Sequence, residues 1–173
     1  MLLRAEQMAV ELGDAALHSD VINSHAFWLF TQRKEWSGRM REALRLALES
    51  GDGASAGRAY ANGYTYFAAQ YRFAEGERFW RDGVVFCDER DIPTFATCLR
   101  GHRAIALLDL GRWDESAAIA ERVLATEASP VNLLTSQVTM GLIRARRGLP
   151  GALEVLDPGV DAADSLGEAE WVA

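Results

Sequence analysis

The chain has 173 residues, of which 49% are hydrophobic and 25% charged, and carries a net charge of −7. That is globular composition, enough for one core or one short repeat array, with no apolar run near the roughly 18 residues that a membrane span needs. The acidic balance argues against direct nucleic-acid binding by this segment, and two cysteines, Cys87 and Cys98, are too few for a disulfide framework and read as free thiols.

The opening stretch, MLLRAEQMAVELGD, has scattered charges and no small-residue cleavage site. No signal peptide is expected, and the expected location is cytoplasmic. Residues 1–12 read as the second helix of a helix pair, because they run into Glu11-Leu12-Gly13-Asp14 as residues 40–50 run into Glu49-Ser50-Gly51-Asp52. The boundary returns at Arg90-Asp91-Ile92-Pro93, at Ala128-Ser129-Pro130 and at Ser165-Leu166-Gly167-Glu168. Gly13, Gly51, Asp91, Ser129 and Gly167 are spaced 38, 40, 38 and 38 residues apart. A second mark, Trp36, Phe73, Trp113 and Pro150, falls inside each unit at spacings of 37, 40 and 37. Two interleaved marks at one period describe a helix–turn–helix unit repeated along the chain.

Within 112–127, Trp113, Ala117, Ala120 and Leu124 share one helical face, and within 149–166 Leu149, Leu153, Leu156, Val160 and Ala163 do the same. Ser129 can cap and Pro130 suits a first helical position, while Gly111 and Gly148 sit where a helix must end in positive φ. Pro158 interrupts the pattern of 149–166, so a kink or break is expected near Leu156–Asp157. No segment alternates with period two. The expectation is an all-α fold: nine helices and, at 168–173, the start of a tenth, forming an α-α superhelix of about four repeats with a period of about 38–40. The chain is expected to be one repeat domain over 1–173, a fragment of a longer array, with self-association through its exposed ends.

Gly111-Arg112-Trp113-Asp114-Glu115-Ser116-Ala117-Ala118, continuing through Glu121-Arg122-Val123-Leu124, resembles the turn and second helix of a tetratricopeptide repeat. The continuation from Ser129-Pro130 to Arg144-Ala145-Arg146-Arg147-Gly148 is similar to the helical-repeat region of large bacterial, often actinobacterial, regulators of the LuxR or MalT-like type. Those proteins join an ATPase domain, a middle array of tetratricopeptide-like repeats and a helix-turn-helix. The resemblance spans about residues 5–170 and implies a regulatory interaction module. Three features depart from the strict repeat: Arg39 and Gly76 at the small position after the mid-unit aromatic, and the lack of a Trp-Leu-Gly start. The only lysine, Lys34, follows Arg33, so the Gly-Lys-Ser/Thr of a P-loop is not in this segment.

Cys98 and His102 lie one turn apart without the paired spacing of a zinc site, and the carboxylates sit at helix ends and on polar faces. No catalytic, cofactor or metal residue is assigned, and no cofactor is expected. Arg144, Arg146 and Arg147 suit the negative end of a helix. The aromatics of the first helices are the stronger signal. Asn23, Tyr60, Arg100 and Gln137 fall in one row at matching depth, beside Asn62 and His102. With Trp28, Tyr64 and Phe67 they form the expected concave binding stripe, open to a protein, peptide or small effector. Two alternatives stand beside this regulatory module: a stand-alone adaptor or scaffold, and a helical enzyme.

Overall fold

The computed structural model describes residues 1–166; the expected boundary at Gly167 and the expected tenth helix at 168–173 lie outside it. Among the described residues the chain forms nine α-helices and no strand. They are α1 (Leu2–Leu12), α2 (Ala15–Thr31), α3 (Ser37–Ser50), α4 (Gly53–Ala69), α5 (Phe73–Glu89), α6 (Pro93–Asp109), α7 (Trp113–Leu124), α8 (Pro130–Arg146) and α9 (Ala152–Leu166). Two compact units result, Met1–Ala96 and Thr97–Ala173, with the division inside α6.

The turns explain the helices. A helix leaves its last carbonyls without intrahelical partners, and one solution is a left-handed residue followed by an N–H that bonds back five residues. That turn recurs six times among the described residues. The N–H of Asp14 donates to the Ala9 carbonyl, Lys34 to Leu29, Arg72 to Phe67, Ile92 to Cys87, Arg112 to Leu107 and Leu149 to Arg144, at 2.9–3.4 Å. The residue before each donor is left-handed: Gly13 (φ 67°), Arg33 (54°), Tyr71 (57°), Asp91 (52°), Gly111 (76°) and Gly148 (65°). Half of these are not glycine, although Cβ makes the left-handed region costly.

Helix starts are built as locally. Asp14 and Asp52 accept from the N–H groups of Leu17 (2.9 Å) and Ser55 (2.6 Å), caps worth about 1 kcal/mol each. Glu35 accepts from the N–H groups of Ser37 and Gly38 and from the Ser37 hydroxyl, and the Ser37 bond leads in holding its carboxyl below the usual range. At α5 and α7 an arginine clamps a glutamate three residues on: Arg72 with Glu75, and Arg112 with Glu115, through Nε at 2.6 and 2.7 Å. The Ser129 side chain makes no capping bond, and Pro130 alone marks the start of α8. The break expected near Leu156–Asp157 is not found: α9 starts at Ala152 and runs through Pro158 without interruption.

In the first unit α1 packs on α2, α2 on α3, α3 on α4 and α4 on α5, and the first helices of successive pairs, α2 and α4, also meet. Ile22, Asn23, Trp36, Met40, Tyr64, Phe67 and Cys87 are its largest fully buried side chains. Gly63 lets α4 pass close to both neighbours, since a Cβ there would overlap the Phe79 ring of α5 and lie 3.1 Å from Met40 of α3. In the second unit Ala104 and Leu108 of α6, Ala120 of α7, and Met140 and Ile143 of α8 form the core, with Trp113 and Val155 against it. The Ser116 hydroxyl there donates to the Ala104 carbonyl at 2.6 Å, a contact that joins α7 to α6 without bulk.

The left-handed non-glycine turns give a direct test. Arg33 is exposed and left-handed, so Arg33→Gly is expected to stabilise the fold by about 0.5–1 kcal/mol, the strain relieved less the added freedom of the unfolded chain. Gly111→Ala is expected to destabilise by a similar amount, and urea midpoints of the two variants read both signs.

Candidate functional site

The expected stripe separates into three environments. Tyr64 and Phe67 are fully buried and belong to the aromatic core of the first unit. The Phe67 ring lies 4.7 Å from Trp36 and 5.6 Å from Phe79, with the Arg72 guanidinium 4.8 Å above it. Asn23 and Gln137 are also buried, at 0% and 9% exposure. Tyr60, 8% exposed, turns toward α5, where it meets Phe86 at 5.5 Å and Phe79 at 6.4 Å. All five are buried, and for Tyr60, Tyr64 and Phe67 the reason is that α4 is apolar or small on almost every face and buries most of its length.

Asn62 spends its side chain sideways, its Nδ2 donating to Asn23 Oδ1 at 2.8 Å and so tying α4 to α2. His102 is turned onto its own helix, its Nδ1 donating to the Cys98 carbonyl at 2.9 Å. Burial pushes its pKa below the usual imidazole value, with that carbonyl acting against the shift. Arg100 is half-buried. Trp28 remains substantially exposed, with the Lys34 ammonium 5.0 Å over its ring and His25 at 6.0 Å. Of the nine stripe residues, then, Trp28 is the one whose side chain reaches well into solvent. The arginines at the end of α8 are structural ties: Arg144 donates to the Gly151 carbonyl, and Arg147 donates to Asp114 Oδ1 at 2.7 Å while lying over Trp113.

Two clusters in the first unit went unnoticed in the sequence. One is an ionic node between α1, α2 and α3. Arg39 donates to both oxygens of Glu6, at 2.9 and 3.3 Å, and to Glu42 at 3.1 Å. His18 Nε2 and His25 Nδ1 lie 3.8 Å from one and the other oxygen of Glu6. Burial opposes the charge on Arg39, but its bonds to Glu6 and Glu42 outweigh that and raise its pKa. The departure from a small residue at Arg39 thus has a reason, since α1 presents a carboxylate to it, and the small buried residues of α3 are Ser37, Ala43 and Ala47. The node is closed on itself by a guanidinium, and no group of three metal-ligating side chains occurs among the described residues.

The other cluster is a cleft of about 270 Å³ between α3 and α5. Tyr60 of α4 and Phe79 of α5, both nearly buried, supply apolar lining with Leu44 and Leu48 of α3; Arg41, Arg45, Arg78 and Asp82 supply the charge. Helical spacing joins Arg41, Leu44, Arg45 and Leu48 on one face of α3, but nothing in the sequence says that α5 stands opposite. Compared with known protein families, curated proteins and solved structures, the chain has no match.

Arg39→Ala leaves Glu6, whose side chain is only 18% exposed, without its principal partner. It is expected to destabilise the fold by about 1–3 kcal/mol and to raise amide exchange in α1 while leaving α7–α9 unchanged. His102 predicts a pH effect. Its folded pKa lies below the usual 6.5, so the unfolded chain binds the proton first, and stability is full above that value and falls as pH drops through it. His102→Asn keeps a donor for the Cys98 carbonyl and should flatten that fall in urea titrations between about pH 7 and 5.

Proposed function

We propose that this chain is a non-catalytic binding module of tetratricopeptide-like helix pairs, the regulatory middle section of a bacterial, cytoplasmic transcription regulator of the LuxR or MalT-like kind. The observation that carries this reading is the recurrence of one helix-reversing turn at the period of the repeat. Pairs built that way bury their apolar faces against neighbours and leave extended faces for partners. Two ionisable groups withdrawn from water support it as well, since Glu6 is spent on Arg39 and His102 on the Cys98 carbonyl. No helix among the described residues is long and apolar enough to cross a membrane.

The module's partner is a protein, peptide or small effector. Exposed apolar side chains support self-association through α1 and α9, where Leu3, Val10 and Leu12, and Leu153 and Val160, are more than half exposed.

The test is saturable retention. The immobilised chain is exposed to a bacterial extract with and without excess free chain. A discrete protein, peptide or metabolite held by the column and displaced by the free chain is the expected result, with Trp28→Ala weakening it and leaving helicity unchanged. If nothing is retained saturably, the binding-module reading fails.

A further inference from the structure

The cleft between α3 and α5 combines features that belong to a ligand rather than to the fold. Its volume, about 270 Å³, is room for about nine waters, at the lower edge of small-molecule sites. An α-helix, about 10 Å across, is too bulky for it, so the occupant is a small molecule. The lining gives the chemistry. Phe79 and Tyr60 are 7% and 8% exposed and offer ring surface, with Leu44 and Leu48 beside them. Three guanidiniums face one carboxylate, in a chain whose net charge is −7.

Two of the guanidiniums are already engaged: Arg78 donates to Asp82 at 3.2 Å, and Arg45 to Glu49 at 2.6 Å. Arg41 makes no ion pair. Its Nη1 donates to the Ser37 hydroxyl at 3.1 Å and its guanidinium lies 5.9 Å from the Phe67 ring; its charge reaches Glu35 and Glu75, but among the described residues no carboxylate lies within ion-pair distance of it. A guanidinium holds a carboxylate through two parallel bonds. One guanidinium without an ion pair matches one negative charge, and a dianion would also have to stand against Asp82. Burial, with Asp82 adding to it, raises the pKa of Tyr60, so its phenol stays protonated at neutral pH and offers a donor beside the guanidiniums.

We infer that this cleft is a receptor site for a small organic monocarboxylate with an apolar body, the carboxylate held by Arg41 and the body laid against Leu48, Tyr60 and Phe79. The inference rests on the binding-module reading and names a ligand for one surface of it. Its ligand touches α3, α4 and α5 together, so binding is coupled to the packing of consecutive helix pairs.

The experiment titrates the whole chain with sodium octanoate, with octylammonium chloride as the charge-reversed control and 1-octanol as the neutral one. Amide shifts in 15N-resolved NMR locate the site, and the melting temperature reads the linkage. Octanoate is expected to saturate, to shift amides of α3, α4 and α5, and to raise the melting temperature. Octanol is expected to bind about tenfold more weakly, and octylammonium not to saturate. Arg41→Gln should weaken octanoate about tenfold, leave octanol unchanged and preserve the unliganded melting temperature. If that variant does not fold, Arg78→Gln takes its place with a smaller expected loss. Equal binding of octanoate and octylammonium, octanoate affinity unchanged in the folded variant, or shifts confined to other helices overturns the inference. Absence of octanoate binding beside saturable retention of a cellular partner overturns the carboxylate site alone; absence of retention overturns the module reading on which the site rests.

Discussion

Everything in this fold depends on how a helix is made to end. Each helix must satisfy its last carbonyls and reverse the chain within two to five residues, and six times it does so with one left-handed residue and one N–H bonding back five positions. The reversal sets consecutive helices side by side, and the period of the turn becomes the period of the repeat. The side chains then work within that geometry. Gly63 and Ser116 allow close approach, Trp36 and Phe67 fill the first unit's core, and the aspartate caps or the arginine–glutamate clamps open the helices that follow.

The packing is more polar than the pattern of apolar residues implies. α2 carries Ser19, Asn23 and His25 into contact with its neighbours: the Ser19 hydroxyl donates to the Ala43 carbonyl at 2.8 Å, Asn23 accepts from Asn62, and His25 lies by Glu6. Buried polar contacts of this kind are costly to misplace. They fix how α1, α2, α3 and α4 seat against one another, a job that interchangeable alanines and leucines do less selectively.

How much of this was legible is a question of distance along the chain. The nine helices among the described residues, Gly13, Gly51, Gly111 and Gly148 as helix ends, and Pro130 at a helix start came from local chemistry, and the structure has them where that chemistry puts them. The same turn at Arg33, Tyr71 and Asp91 was hidden because nothing in an arginine or a tyrosine announces positive φ. Pro158 does not break α9, and the Cβ of a residue at Gly141 would strike Leu156, which shows how closely α8 and α9 pack around that segment. The stripe illustrates the harder limit. Tyr60 and Gln137 each stand seven residues beyond the first residue of their helices and Asn23 eight, and depth along a helix does not tell which way a side chain points. On α4, with small or aromatic residues all round, no empty face remained to decide it. The α3–α5 cleft needs two helices more than thirty residues apart, and only tertiary structure brings Arg41 and Arg78 to one opening.

The strained turns are not evenly shared. Arg33, Tyr71 and Asp91 all lie in the first unit, while the turns that end α6 and α8 in the second use glycine. Strain lowers the cost of local opening, so the two units are expected to differ in compliance, the first being the softer spring. The α3–α5 cleft belongs to that unit. A molecule seated in it would act as a clasp on the part of the protein with the most give, and the energy released on seating would go into stiffness as well as into affinity.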